Sequence, residues 1–251
     1  MNSLPKSRCG CFIHPGHSPR ITLFVNYSGK KKSLIIGIKM RHQTGHSFRL
    51  LPEKWIAVTL NFAQKASILF IRFNPNFLTL LGLMAGAAAG FFFALGWPIW
   101  AALAIVLCSA FDILDGKVAA RTHKTSLYGA MFDSTLDRYS EFFIYLGLAF
   151  HFRKSWVLWI PILAFLGSTM VSYTRARAEG LGFECRVGFM QRAERMSLLL
   201  TGAVLGTIFR VFNPSMIAVL ALIAIVSNVT AIQRTLHVKR QEALRKAEKE
   251  N

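Results

Sequence analysis

The sequence predicts an all-α polytopic membrane protein: six transmembrane helices preceded by an interfacial amphipathic helix. Three observations carry that expectation. The apolar residues come in long blocks, Lys and Arg collect between alternate blocks, and every aspartate of the chain falls in one short window, Phe111 to Asp137.

The chain has 251 residues, of which 53% are hydrophobic, and a formal charge of +18. A basic soluble chain would suggest nucleic acid. Here the apolar blocks 77–111, 142–173 and 196–231 argue otherwise, because one membrane crossing takes roughly 20 apolar residues and each block suits a hairpin of spans. Six spans fit, at 77–95, 97–116, 134–151, 155–174, 196–211 and 214–233. Gly96-Trp97-Pro98 and Asn213-Pro214 break the chain at two of the turns. The fifth span is short enough to tilt or to be shielded.

Orientation follows from the basic residues. One side of the six spans holds 27 Lys and Arg, and the other only Arg153, Lys154 and Arg210. Both termini and the aspartate window are therefore expected in the cytoplasm, on an integral, multi-pass protein of the inner or cell membrane. The excess charge then serves topology and attraction to anionic lipid, with no nucleic acid as partner. Cys9 and Cys11 with His14 and His17 match no usual structural zinc spacing.

Before the first span, residues 1–50 read as a basic, disordered tail without the shape of a signal peptide. Met40 is an alternative start. Residues 51–73 differ: at roughly 100° per residue, Lys54, Asn61, Gln64, Lys65 and Arg72 share one wedge while Trp55, Phe62, Leu69 and Phe70 face away. That pattern suits a helix lying in the headgroup plane. Residues 74–236 hold the spans, and 237–251 form a charged cytoplasmic tail.

The aspartates carry the chemistry. Asp112 and Asp115 are three apart at the end of the second span, and Asp133 and Asp137 four apart at the start of the third. Each pair projects from one helix face, and a short connection can bring the faces together. Four like charges at close quarters need cations. Oxygen ligands without His or Cys suit Mg²⁺, Mn²⁺ or Ca²⁺, and Gly116 and Gly129 leave backbone open to a ligand beside the acids.

With those residues in place, the sequence resembles the CDP-alcohol phosphotransferases, whose signature runs D-x2-D-G-x2-A-R-x8-G-x3-D-x3-D. Asp112, Asp115, Gly116, Ala119, Gly129, Asp133 and Asp137 stand in register. The signature arginine falls on Ala120, and the adjacent Arg121 is expected to take its place. Asn74-Pro75-Asn76-Phe77-Leu78-Thr79 resembles the P-N-x-x-T opening of the first span.

The resemblance implies two bound Mg²⁺ or Mn²⁺ ions on Asp112, Asp115, Asp133 and Asp137, with Asp137 also the catalytic base. It implies donor binding by Asn76, Thr79, Gly116, Arg121 and Ser126, and pairing as a homodimer in the lipid bilayer. The text SYTRARAE, the DSTLDRYSE stretch and Arg192 to Arg195 are similar to the phosphatidylinositol phosphate synthase-like branch. That branch implies an acceptor-phosphate pocket of Arg175, Arg195 and Arg234, a CDP-diacylglycerol-like donor and a phosphorylated polyol acceptor. The rival expectations are glycerol phosphate or serine as acceptor, a soluble CDP-inositol donor, and a non-catalytic ion transporter. A prenyltransferase would need a second aspartate cluster late in the chain, and no Asp follows Asp137.

Overall fold

The computed structural model describes residues 22–26, 35–39, 68, 70–185 and 187–250. The chain divides into two units, Met1–His46 and Ser47–Asn251. In the first, strands β1 (Thr22–Asn26) and β2 (Ile35–Lys39) pair antiparallel, Thr22 opposite Lys39 and Asn26 opposite Ile35. The rest of the expected tail lies outside the described residues. So does the expected amphipathic helix, apart from Ile68 and the turn before Asn74.

The only regular elements among the described residues of the second unit are helices. Its helices are α1 (Pro75–Leu95), α2 (Pro98–Arg121), α3 (Leu127–His151), α4 (Trp159–Gly180), α5 (Arg192–Ile208) and α6 (Phe212–Glu250). A 3₁₀ turn, Trp156–Leu158, leads into α4.

Local signals set most of the starts. The Asn74 side chain accepts from the Asn76 amide with Pro75 at the first helical position, and Ser126 Oγ accepts from the Gly129 amide. Gln191 and Glu194 form a capping box at α5. Gly96 ends α1 at φ 75°, a left-handed conformation that glycine adopts without a Cβ penalty.

Four segments are long and apolar enough to cross a membrane: Pro75–Leu95, Pro98–Arg121, Trp156–Gly180 and Phe212–Ala247. Helix α5, with 17 residues, is shorter than these, and α3 carries Asp133, Asp137 and Arg138 in its first half and Glu141 just past its midpoint. Several helices overrun the apolar stretches of the sequence, always toward the aspartate end. Helix α2 continues past residue 116 to Arg121, α3 begins at Leu127 rather than 134, and α6 stays helical to Glu250. Hydropathy ends where charge begins, whereas a helix needs only backbone hydrogen bonds to continue.

Helix α1 packs on α2 and α3, α4 on α3 and α6, and α5 on α2 and α6. Ile105, Ile144, Leu148, Leu199, Leu220 and Ile223 are buried between them. The α1–α3 crossing is close because both helices present glycine: a Cβ on Gly147 would lie 1.9 Å from the Gly90 carbonyl oxygen. Large apolar side chains such as Leu103, Leu107, Leu163, Leu166 and Ile225 face outward. An apolar exterior over apolar helices is consistent with an integral membrane protein.

Candidate active site and metal centre

The site forms where the end of α2 meets the beginnings of α3 and α5. Asp112, Asp133 and Asp137 each place a carboxylate oxygen within 4.8 Å of the others. The two face arrangements expected from spacing thus converge, α2 supplying one acid and α3 two. These side chains are part-buried, and Asp133 Oδ1 is buried with no hydrogen-bond partner. Three hard oxygens and an orphaned acceptor fit a divalent cation.

Asp115 lines the same cleft but is not part of that trio. Its Oδ2 accepts from Thr79 Oγ1 at 2.7 Å, and it is buried. Thr79 Oγ1 also lies 3.1 Å from the Pro75 carbonyl oxygen. The P-N-x-x-T opening of α1 is therefore joined directly to the acid pair on α2.

The other expected donor contacts lie around the same mouth. The Ser126 hydroxyl caps α3 through Gly129, and a Cβ on Gly129 would come within 3.8 Å of Asn76 Oδ1. Gly116 has open space where a side chain would stand. Arg121 is the last residue of α2 and half-buried, while Ala120 is exposed.

Arg192 lies at the start of α5, before the apolar stretch 196–211, and the sequence marks it as part of the basic bias and of the Arg192 to Arg195 text, without assigning it to the aspartates. Its Nη1 lies 2.8 Å from Asp112 Oδ2 and 2.9 Å from Asp137 Oδ1. Its Nη2 donates to Ser140 Oγ at 3.3 Å. Burial pulls the guanidinium's pKa down, but Asp112 and Asp137 more than offset this and raise it above the ordinary arginine value. A second signal is present in the sequence: Arg192 stands three residues before Arg195, so the two share a helix face.

The expected acceptor arginines divide. Arg195 is buried at 1% exposure and its Nη2 meets both carboxylate oxygens of Glu141, at 2.7 and 3.0 Å. Arg234 is buried and donates to the carbonyls of Val187 and Val171. Arg175 is exposed and pairs with Glu179 one turn on, at 2.9 Å. Arg175 and Arg195 both lie within electrostatic reach of Arg234, so the three share a neighbourhood although their side chains are engaged differently. In the α4–α5 loop, Cys185 is buried, and burial pushes its thiol up despite Arg234 nearby. It is no candidate nucleophile.

A family model described as CDP-alcohol phosphatidyltransferase matches residues 72–232. The chain is 36% identical over 168 residues to an archaetidylinositol phosphate synthase of Methanothermobacter thermautotrophicus, covering 67% of this chain and 84% of that one. Its fold matches the crystal structure of Mycobacterium tuberculosis phosphatidylinositol phosphate synthase with CDP-DAG bound. There the TM-score is 0.63 and the identity 29%, over 72% of this chain and 94% of that one. The same enzyme in complex with manganese and citrate matches with a TM-score of 0.63, 29% identity and 72% and 88% coverage.

Proposed function

Because this chain belongs to the CDP-alcohol phosphatidyltransferase family, we propose that it transfers a phosphatidyl-type group from CDP-diacylglycerol to a hydroxyl of inositol phosphate, releasing CMP. The observation that carries this reading is the meeting of Asp112, Asp133 and Asp137 beside the Thr79–Asp115 pair. Residues that the family resemblance assigns to metal and to donor are there joined in one cleft.

Asp137 takes the proton of the acceptor hydroxyl. That oxygen bonds to the β-phosphorus of the donor, and the bond from this phosphorus to the bridging oxygen breaks, so that oxygen leaves with CMP. Two Mg²⁺ or Mn²⁺ ions, held by Asp112, Asp115, Asp133 and Asp137, would supply neutralisation of charge on the pyrophosphate and on the departing CMP. Asn76, Thr79 and Ser126 hold the nucleotide end, Gly116 lets it approach the backbone, and Arg121 takes the phosphate role that Ala120 cannot. Arg175, the exposed member of the expected acceptor set, meets the acceptor phosphate near the α4–α5 loop, while Arg195, held by Glu141, and Arg234, held by the Val187 and Val171 carbonyls, add positive charge behind it.

We further read all six helices as spans, with the site at the cytoplasmic headgroup level so that the donor keeps its tails in the bilayer. Exposed tryptophans support this: Trp97, Trp100, Trp156 and Trp159 are exposed at the helix ends opposite the aspartates, as an interfacial belt would be. The basic residues crowd the aspartate end.

The test is CMP release by purified protein with CDP-diacylglycerol, Mg²⁺ and a panel of inositol phosphate, inositol, glycerol phosphate and serine. Release is expected with inositol phosphate alone. Equal release with unphosphorylated inositol overturns the arginine pocket, and no release with any acceptor overturns the transferase reading in favour of a transport role.

A further inference from the structure

Arg192 has no role in the reaction as argued above, yet it occupies the acid cluster. A single nitrogen, Nη1, bridges Asp112 on α2 and Asp137 on α3. Both acids belong to the trio whose oxygens lie within 4.8 Å of one another. The side chain is only 17% exposed, and three further groups steady it: Ser140 Oγ at 3.3 Å and Cys108 Sγ at 3.9 Å from Nη2, and Glu141 Oε1 at 3.6 Å from Nε.

We propose that Arg192 is a built-in rival of the divalent ion, neutralising Asp112 and Asp137 until the ion displaces its guanidinium toward Ser140 and Glu141. This rests on the metal reading of the aspartates. A cation bound between Asp112, Asp133 and Asp137 would stand against Nη1 on the same two carboxylates, and like charges that close repel strongly in a part-buried site. The two states therefore exclude one another, and each weakens the other by the same factor.

The surroundings permit the exchange. The capping box of Gln191 and Glu194 fixes the backbone at the start of α5, so the movement is confined to the side chain. Behind Arg192, Glu141 offers a carboxylate outside the trio, held in place by Arg195. Arg192 thus gives up Asp112 and Asp137 while keeping its contacts to Ser140 and Glu141, without leaving the site. As a positioning residue it keeps the acids from driving apart α2 and α3 before the ion arrives.

Manganese binding to the full chain in detergent or nanodiscs, followed by electron paramagnetic resonance without nucleotide, tests this. Arg192→Gln is expected to bind Mn²⁺ tighter by on the order of tenfold, with a lower unfolding temperature in the absence of metal, and Arg192→Lys is expected to fall between. Equal or weaker Mn²⁺ binding by Arg192→Gln overturns the proposal. As a check independent of the variants, labelling of Arg192 by phenylglyoxal in the wild-type protein, mapped by mass spectrometry, should change in rate with Mn²⁺, and an unchanged rate also overturns it. If neither wild type nor variant binds Mn²⁺, the metal reading itself falls and this proposal with it; wild-type binding with no gain in the variant removes the rivalry alone.

Discussion

Arg195 and Glu141 close a two-bonded ion pair inside the helix bundle, with both side chains 1% exposed and both carboxylate oxygens within 3.0 Å of one guanidinium nitrogen. It joins α5 to α3 one helical turn beyond Asp137. Removing one partner leaves the other charged and buried. Glu141→Gln is therefore expected to lower stability by about 3 kcal/mol, read as a fall in the unfolding temperature of the detergent-solubilised protein. An unchanged temperature would show that the pair is not a structural link between these helices.

Asp137 serves both the cation and the acceptor proton. Asp137→Asn is expected to reduce CMP release by roughly a hundred- to ten-thousandfold. Circular dichroism should show the helices intact, since Asn fills the same space. Retention of activity within a few-fold of wild type would remove Asp137 from the base role.

Arg121 stands one position beyond the signature arginine, where Ala120 is found. Its side chain leaves the helix about 100° from that of Ala120, at the last turn of α2 where the chain is about to bend. Arg121→Gln is expected to raise the KM for CDP-diacylglycerol by about tenfold, the loss of one charge-assisted contact, while Mn²⁺ binding stays unchanged. A KM unaltered by the substitution would mean that another group makes the donor contact.

Gly90 and Gly147 set the distance between α1 and α3. An added Cβ at Gly147 would stand 1.9 Å from the Gly90 oxygen, so the backbone itself must move. Gly147→Ala is expected to cost about 2 kcal/mol as an overpacked contact and to reduce activity, because α3 carries Asp133 and Asp137. Thermal unfolding and CMP release together check this, and an unperturbed variant would show that the crossing is looser than the structure has it.

The far end of α6 holds the α4–α5 loop by its carbonyls. Gln241 Nε2 donates to Glu184 O at 3.0 Å, Arg245 Nη2 donates to Gly182 O at 2.7 Å, and the Arg245 guanidinium lies 4.2 Å from the Phe183 ring centroid. Gln241 and Arg245 lie beyond the stretch that the family model matches, residues 72–232. The double substitution Gln241→Ala, Arg245→Ala is expected to speed amide exchange over 182–187. Exchange unchanged in that loop would show that Arg234 alone, through Val187 O, is enough to hold it.

Several of these features are legible in the amino-acid sequence alone. Asp112 with Asp115, and Asp133 with Asp137, share a face by helical spacing, and Gly96-Trp97-Pro98 marks a turn that the structure has between α1 and α2. Apolar length locates the span-like parts of α1, α2, α4 and α6. It falls short at α3 and α6, whose charged turns continue the helix beyond the apolar stretch. Arg192 and Glu141 are legible only as parts of motifs, with nothing in the sequence to join Arg192 to the aspartates.

What the chain by itself determined is what one helix can express: where helices begin, which side chains share a face, and that four acids lie beside an apolar stretch. Only the tertiary structure decided that three of those acids converge while Asp115 turns to Thr79, that Arg192 bridges Asp112 and Asp137, and that Arg195 is spent on Glu141. The physical reason is range. Periodicity is fixed by hydrogen bonds four residues apart, whereas the partners of a buried charge depend on how closely helices cross, and that is set by small residues far away in sequence such as Gly90 and Gly147.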